Sequence, residues 1–487
     1  MHLMVGAFLT LVSIEVFRFL FKRYGFKFGW MRIPIPIFFM IIIGIAAMTG
    51  LVLVLAGPSE VLLAIGLGSS IFIGLFHPVA AAAVLISNVL VRPWENYPDR
   101  EMLGILPRML AGISMLTWIA FLFLRKNFSF RWCREMTLIS LLFCWLMFSA
   151  LTSFYYMTNF NDITRAFIPI VVVCFLVVNV VENELDLAVL TKCFMISLTG
   201  VIAIAIPYTV LDPLYATEGL RLQGMGQSGN SNDLAAFGVL GFPFALMPFI
   251  RARRKKTTAW VELICMLIML VGVMMTKSRA GAGALAASLL LYQFMISKDT
   301  VKLIKQLILI SPVILAVGYF ATQRDASDLA GSSDSRLNYI ITGFLMLKAY
   351  PLMGVGVGNY PRFYEMYSPL FTETGERTAH STWMLLLSET GPVGFAIFAY
   401  MFFRVCKTAW EIRKTYPEFI MSLLGYGIAM SMLSHSYSLY PYLLIFLAYA
   451  GGYVLKKNPD IKPMLVDDLP DPGKDLVPIP KGYRRRR

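Results

Sequence analysis

Four histidines occur in this chain, His2, His77, His380 and His435, and His380 has the setting best suited to chemistry. It closes a hydrophilic stretch, ERTAHS, and precedes the apolar run TWMLLLSETGPVGFAIF, which places it where the chain re-enters the membrane. Imidazole is the side chain whose unperturbed pKa lies nearest neutrality, so a histidine there can take or give a proton at neutral pH. The other use of a histidine at a lipid boundary is as a structural hydrogen-bond donor. Ser381 follows directly, Gly391 comes after nine further residues, and Gly394 completes the pattern. Upstream, Gly354, Gly356 and Gly358 alternate in PLMGVGVGNY. Neither a dinucleotide fingerprint nor a P-loop Lys accompanies them, so the run reads as a tight extended turn. Cys133, Cys144, Cys174, Cys193, Cys265 and Cys406 are scattered without a C-x-x-C spacing and read as small core hydrophobes. The hydrophilic loops hold no Asp/Glu cluster with metal-ligand spacing, and no metal or other cofactor is expected.

The elements that must hold these residues are membrane helices. The chain has 487 residues, 57% hydrophobic and 15% charged, whereas soluble domains carry about 45–50% apolar and about 25% charged residues. Its mean hydropathy is +0.68. These values point away from a disordered chain and from a soluble enzyme. A spanning helix takes about 20 mainly apolar residues, because only a helix satisfies its own backbone groups in lipid. Such runs lie near 4–21, 33–56, 59–76, 79–92, 105–124, 135–155, 164–181, 187–210, 232–250, 259–276, 280–296, 302–321, 381–403, 418–435 and 437–455. The predicted fold is therefore all-α, a polytopic transmembrane bundle of about 12 to 15 helices forming one domain over residues 1–455. His77-Pro78 marks either a junction of two short spans or a break in one helix. The first segment lacks a basic leader and a small-residue cleavage site and reads as a retained span.

The formal charge of +14 would suggest a nucleic-acid partner in a soluble protein. Here it has a different source. Lys22, Arg23, Lys27 and Arg32, then Arg125, Lys126, Arg131 and Arg134, and then Arg251, Arg253, Arg254, Lys255 and Lys256 occupy short loops. Lys298, Lys302 and Lys305, Arg404, Lys407, Arg413 and Lys414, and the basic tail follow. All of these fall on one side when the spans alternate, and the positive-inside rule makes that side cytoplasmic. No nucleic-acid partner is needed. The loops at 211–231, 276–279 and 322–379 and the turn near 435 then face outward. The tail from about Lys456, rich in Pro, Asp and Lys, has the composition of a disordered cytoplasmic segment (456–487). Its closing RRRR either sets topology or touches anionic lipid.

The long loop 322–379 is the one extended hydrophilic stretch between spans. Within it, RLNYIITGFLMLKAY places Leu337, Ile340, Ile341, Phe344, Leu345 and Leu347 on a helical stripe. Such a helix would lie on the outer membrane surface or cap the bundle. Tyr339, Tyr360, Tyr364 and Tyr367 are placed either to stack on a ligand or to anchor helices at the interface.

The run from Arg336 through PLMGVGVGNY to His380-Ser381, Gly391 and Gly394 resembles the signature of the O-antigen ligase and O-antigen polymerase family. Two upstream stretches are similar as well: GLRLQGMGQSGNSNDLA, with Arg221, and TKSRAGAG, with Arg279. The resemblance implies a membrane glycosyltransferase that moves a glycan from polyprenyl (undecaprenyl) diphosphate to an acceptor hydroxyl. That acceptor would be a lipid A core, another glycan or a protein. It also implies a bacterial inner membrane with the site facing the periplasm, an inverting reaction and no nucleotide. By this reading His380 is general base or orienter, and Arg221 and Arg279 stabilise the charge that grows on the leaving diphosphate. Both arginines fall on the outer face by the charge count. Arg336 and Arg362 are further candidates for donor phosphate or glycan, Ser381 and Tyr360 for substrate contact, and His435, in SHSYSLYPY, for the acceptor cleft.

Within the family a ligase, a repeat-unit polymerase of O-antigen or exopolysaccharide, and a protein O-glycosylating enzyme share the donor site; the His-Ser-x9-Gly pattern favours the ligase. A transporter of lipid-linked sugar would show an internal repeat and midplane charge. No repeat is evident, and the intramembrane charges noted, Glu15, Arg18 and Lys192, lie away from the signature.

Overall fold

The computed structural model describes residues 8–18, 68, 77–92, 106–125, 130–211, 221–224, 230–296, 304, 308, 311, 315, 319, 326–369, 375–459 and 461. Among them the structure is all helical: α1 (Pro78–Val91), α2 (Leu106–Arg125), α3 (Arg134–Leu151), α4 (Tyr156–Val180), α5 (Glu184–Val210), α6 (Ser231–Arg254), α7 (Trp260–Met275), α8 (Arg279–Ile296), α9 (Ala326–Ala349), α10 (Tyr360–Tyr367), α11 (Thr382–Glu411), α12 (Pro417–Met430) and α13 (Leu439–Lys457). Residues 8–18 are helical too. Seven of the described helices are long and apolar enough to cross a membrane: α2, α3, α4, α5, α6, α11 and α13. The expected spans near 33–56, 59–76 and 302–321 and the tail beyond 461 lie largely outside the described residues.

Local chemistry explains the boundaries. His77 Nδ1 accepts the Val79 N–H at 3.2 Å and Pro78 occupies the first turn, so His77-Pro78 is a helix start. At α5, Asn183 Oδ1 accepts the Asp186 N–H while Asp186 Oδ2 accepts the Glu182 N–H, a reciprocal cap at 3.1 and 3.0 Å. α11 is broken at Gly391, whose φ of 67° is non-helical, with Pro392 next.

Packing follows membrane rules, with small residues where helices approach closely. α6 lies against α5, α7, α8 and α12. Ser422 Oγ donates to Leu240 O at 2.8 Å, and Ser288 Oγ donates to Met421 O at 2.9 Å. A Cβ on Gly238 would stand 2.4 Å from Val273 Cγ2 and 3.3 Å from Met269 O, so this close α6–α7 contact favours glycine. Many large apolar side chains face outward, among them Leu116, Phe123, Phe294 and Phe403, as lipid contact demands.

Charged residues gather at one end. Arg251 donates to both Glu418 oxygens and to Thr415 O, joining the end of α6 to the start of α12. Arg404 pairs with Glu135 at 3.1 Å, and Lys192 pairs with Glu15 at 3.1 Å and Glu262 at 3.2 Å. Glu15, Arg18 and Lys192 thus belong to an ion-pair cluster away from the His380 end.

The long loop is ordered in its described parts, with α9 and α10 inside it. α9 inverts the usual amphipathic arrangement. Asn338, Tyr339, Thr342, Gly343 and Met346 face inward, while Leu337, Ile340, Ile341, Phe344 and Leu345 are exposed.

Candidate functional site

Arg221 is gripped at a three-way junction. Its Nε donates to Thr276 O at 2.9 Å and a terminal nitrogen donates to Asn232 Oδ1 at 3.0 Å. The same Asn232 oxygen accepts the Ser278 hydroxyl at 2.8 Å, and Leu222 N–H donates to Met275 O at 2.9 Å. Arg221 and Leu222 are thereby stitched to the end of α7, the α7–α8 turn and the first turn of α6. Gly281 allows the close approach, since a Cβ there would meet the Ala235 Cβ at 2.5 Å. This is why SNDLA and SRAG carry small residues at these places. Arg279 is the exposed first residue of α8, next to Ser278. Two helix N-termini, with their positive dipole ends, thus meet beside two guanidiniums, an arrangement suited to a phosphate group.

A second set of contacts ties this junction to the start of α11. Asp233, next to Asn232, places Oδ1 3.0 Å from His435 Nε2. The His435 N–H donates to Thr382 Oγ1 at 3.0 Å, and Thr382 Oγ1 donates to Leu433 O at 2.6 Å. Thr382 is two residues beyond His380. The Arg221 stretch, the Arg279 stretch and the His380 stretch therefore share one end of the bundle, joined by hydrogen bonds and by neighbours along the chain.

His380 is half-buried, and its ring lies 5.3 Å from the Tyr339 ring, tilted by 38°. Its φ is 42°, in the left-handed region. Among the described residues three other non-glycine positions share that region: Arg92, Lys256 and Lys277 follow helix C-termini, where a left-handed exit is ordinary. His380 follows no helix. Such a conformation costs about 1–3 kcal/mol and is characteristic of functional positions. Arg336 precedes Tyr339 by one turn of α9 and is half-buried.

Other expected site residues have structural work. Ser381 caps α11, accepting the Met384 N–H at 3.3 Å. Tyr360, a candidate for substrate contact, is fully buried and its hydroxyl donates to Tyr339 O at 2.6 Å. Burial, with Tyr364 and Tyr339 alongside, pushes its phenol well above the usual range, so it remains a donor. Tyr364 is also fully buried, its hydroxyl 2.7 Å from Asn338 Nδ2. Arg362 donates to Asn159 Oδ1 at 2.8 Å and lies 4.8 Å from the Tyr155 ring centre, which fastens α10 to α4. His435 is buried behind Asp233 instead of lining an open cleft.

Sequence reasoning missed Glu389. It is buried in α11, with Oε1 accepting the Tyr360 N–H at 2.8 Å and Oε2 the Tyr437 hydroxyl at 2.7 Å. The glycine turn docks beside it: Val355 N–H donates to Ser388 O at 2.9 Å and Gly356 N–H to Glu389 O at 3.0 Å. Gly354, at φ 68°, leaves no room for a Cβ against Ser388 and Glu389. The alternating glycines thus serve backbone docking. The signal for Glu389 was a lone carboxylate in LLLSETGPVG, an ionisable group in apolar sequence. Asp233 and Tyr426 were missed as well. Tyr426 has no sequence signal, since its role depends on His435 folding back onto α12. Among the described residues no group of three His, Cys, Asp or Glu could hold a metal ion.

Comparison with known proteins agrees with the position of these motifs. No curated protein matches the chain. Residues 264–399 match the family model described as O-antigen ligase, a segment that runs from within α7 into α11 and includes Arg279, Arg336, Arg362 and His380. The chain is a multi-pass membrane protein with a segment that matches the O-antigen ligase family model.

Proposed function

We propose that this protein is a glycosyltransferase of O-antigen ligase type. It moves a glycan from polyprenyl diphosphate to an acceptor hydroxyl at the periplasmic face of a bacterial inner membrane, without a metal and with inversion at the anomeric carbon. The supporting observation is the junction in which Arg221, Asn232 and Ser278 bring the N-termini of α6 and α8 together beside Arg279. A diphosphate leaving group gains charge as its bond to sugar breaks. Donors fixed in place before the reaction stabilise that charge without reorganising. Arg221 and Arg279 supply the cationic groups, with guanidinium geometry matched to phosphate oxygens. His380 holds or deprotonates the acceptor hydroxyl from the start of α11, which the Asp233–His435–Thr382 contacts connect to the junction.

A purified-protein assay tests this, with undecaprenyl-diphosphate-linked glycan as donor and lipid A core, free glycan and protein offered separately as acceptors. Transfer by the wild type, lost in His380→Ala, Arg221→Ala and Arg279→Ala, is the expected result. Full activity in all three variants would remove the proposed roles. The acceptor that is consumed separates ligase from polymerase and from protein glycosylation.

A further inference from the structure

His435 cannot touch an acceptor in this arrangement, because both ring nitrogens are committed. Nε2 lies 3.0 Å from Asp233 Oδ1 and Nδ1 lies 2.7 Å from the Tyr426 hydroxyl. His435 is 5% exposed, and its ring lies near-parallel to those of Phe237 and Tyr426, with centroids 6.2 and 5.9 Å away. A neutral imidazole carrying its proton on Nε2 satisfies the whole set: Tyr426 donates to Nδ1, and Nε2–H donates to the carboxylate. That hydrogen bond fixes one oxygen of Asp233.

The other oxygen is not used in the same way. The Asp233 side chain is 16% exposed, and Oδ2 has no hydrogen bond among the described residues. Successive residues project about 100° apart around a helix, so Asn232 reaches Arg221 and Ser278 while Asp233 reaches the His435 side. Asp233 therefore lies between the two arms of the site, the arginine junction and the α11 start that follows His380. Its place in the first turn of α6 suits a negative charge.

We propose that Asp233 is the proton acceptor of the transfer, with His435 and Tyr426 as its positioning residues. This rests on the transferase reading above and assigns His380 the orienting part of its role. In the step, the acceptor oxygen forms a bond to the anomeric carbon, and the bond from that carbon to the diphosphate oxygen breaks. The electron pair leaves with the diphosphate, and the hydroxyl proton passes to Asp233. The Nε2–H donor holds the carboxylate in one orientation throughout, so the open oxygen is presented to the hydroxyl. A positioned base of this kind is worth about 10²- to 10⁴-fold in rate.

The test is steady-state transfer by the full-length protein for Asp233→Asn, Asp233→Glu, His435→Gln and Tyr426→Phe, beside Arg221→Ala and His380→Ala. Binding of undecaprenyl diphosphate alone, followed by tryptophan fluorescence, reports whether each variant keeps a folded donor site. Asp233→Asn is expected to lose about 10²- to 10⁴-fold in kcat with donor binding retained, and Asp233→Glu to recover part of it. His435→Gln and Tyr426→Phe should lower kcat while leaving donor KM in place. The assignment is overturned if Asp233→Asn keeps near-wild-type kcat while Arg221→Ala and His380→Ala lose activity; the transferase reading then stands without it. It is equally overturned if Asp233→Asn and Asp233→Glu both lose donor binding, which would make Asp233 structural. A wild type that transfers nothing overturns both.

Discussion

Glu389 Oε2 accepts the Tyr437 hydroxyl at 2.7 Å while Oε1 of the same buried carboxylate takes the Tyr360 N–H at 2.8 Å. One side chain in α11 therefore holds the glycine turn before α10 on one side and the α12–α13 connection on the other. It supports the wall behind His380 without forming part of the reacting set.

Replacing Glu389 by Ala leaves two buried donors without an acceptor, and each costs about 1–3 kcal/mol. We expect Glu389→Ala to destabilise the protein by about 3 kcal/mol, seen as a lowered thermal midpoint in detergent. Glu389→Gln, whose amide oxygen can keep one of the two bonds, should fall between Ala and wild type. A Glu389→Ala protein that melts with the wild type would show that water or a neighbour replaces the carboxylate.

Gly391 predicts a backbone effect. Its φ of 67° breaks α11, and a Cβ there would collide with Leu352 O. Gly391→Ala should cost more than the roughly 1–2 kcal/mol of left-handed strain alone, because the turn must also move. Gly283 is the control, since nothing lies within 4 Å of a Cβ at that position. Gly283→Ala should be neutral or stabilising by up to about 1 kcal/mol. Thermal melts of the two variants compare them directly, and equal midpoints would remove the argument.

These residues show what the sequence could reveal. The helices were legible because hydrocarbon demands about 20 apolar residues per span, and α5, α6, α7, α8 and α13 begin and end within a few residues of the expected runs. His380 was marked as a candidate by its place where the chain re-enters apolar sequence, and Arg221 and Arg279 by the resemblance of the stretches that carry them. What joins them was not legible. The Asp233–His435 contact links residues 202 apart in sequence, and the Arg362–Asn159 contact links residues 203 apart. No periodicity carries pairings of that kind. The burial of Tyr360 was hidden for a related reason: a membrane protein exposes apolar faces and buries polar ones, so burial cannot be read from side-chain type alone.

Arg221 offers a test of guanidinium geometry. Two of its nitrogens are already committed, to Thr276 O and Asn232 Oδ1. A lysine carries the charge but cannot hold both partners from fixed directions. Arg221→Lys should lower kcat/KM for transfer about 10- to 100-fold, the equivalent of one lost charge-assisted hydrogen bond of about 1.5–3 kcal/mol. Asn232→Ala should have a similar effect without touching the charge. If Arg221→Lys transfers at the wild-type rate, charge alone suffices and the junction geometry is not used.

The last prediction concerns α9. Its exposed face carries Leu337, Ile340, Ile341, Phe344 and Leu345, whereas Asn338, Tyr339 and Thr342 face the protein. In water this orientation would leave a large apolar stripe solvated at a cost of about 25 cal/mol for each Å². Against lipid the same stripe is stabilising, so α9 should lie in the outer membrane boundary with its Tyr339 face toward His380. A nitroxide on Phe344→Cys, in a background lacking the six native cysteines, should be relaxed strongly by dissolved oxygen and weakly by a water-soluble nickel complex. A nitroxide on Thr378→Cys, exposed before His380, should show the reverse. Equal nickel access at both positions would place α9 in water and separate the site from the membrane surface on which a lipid-linked donor has to arrive.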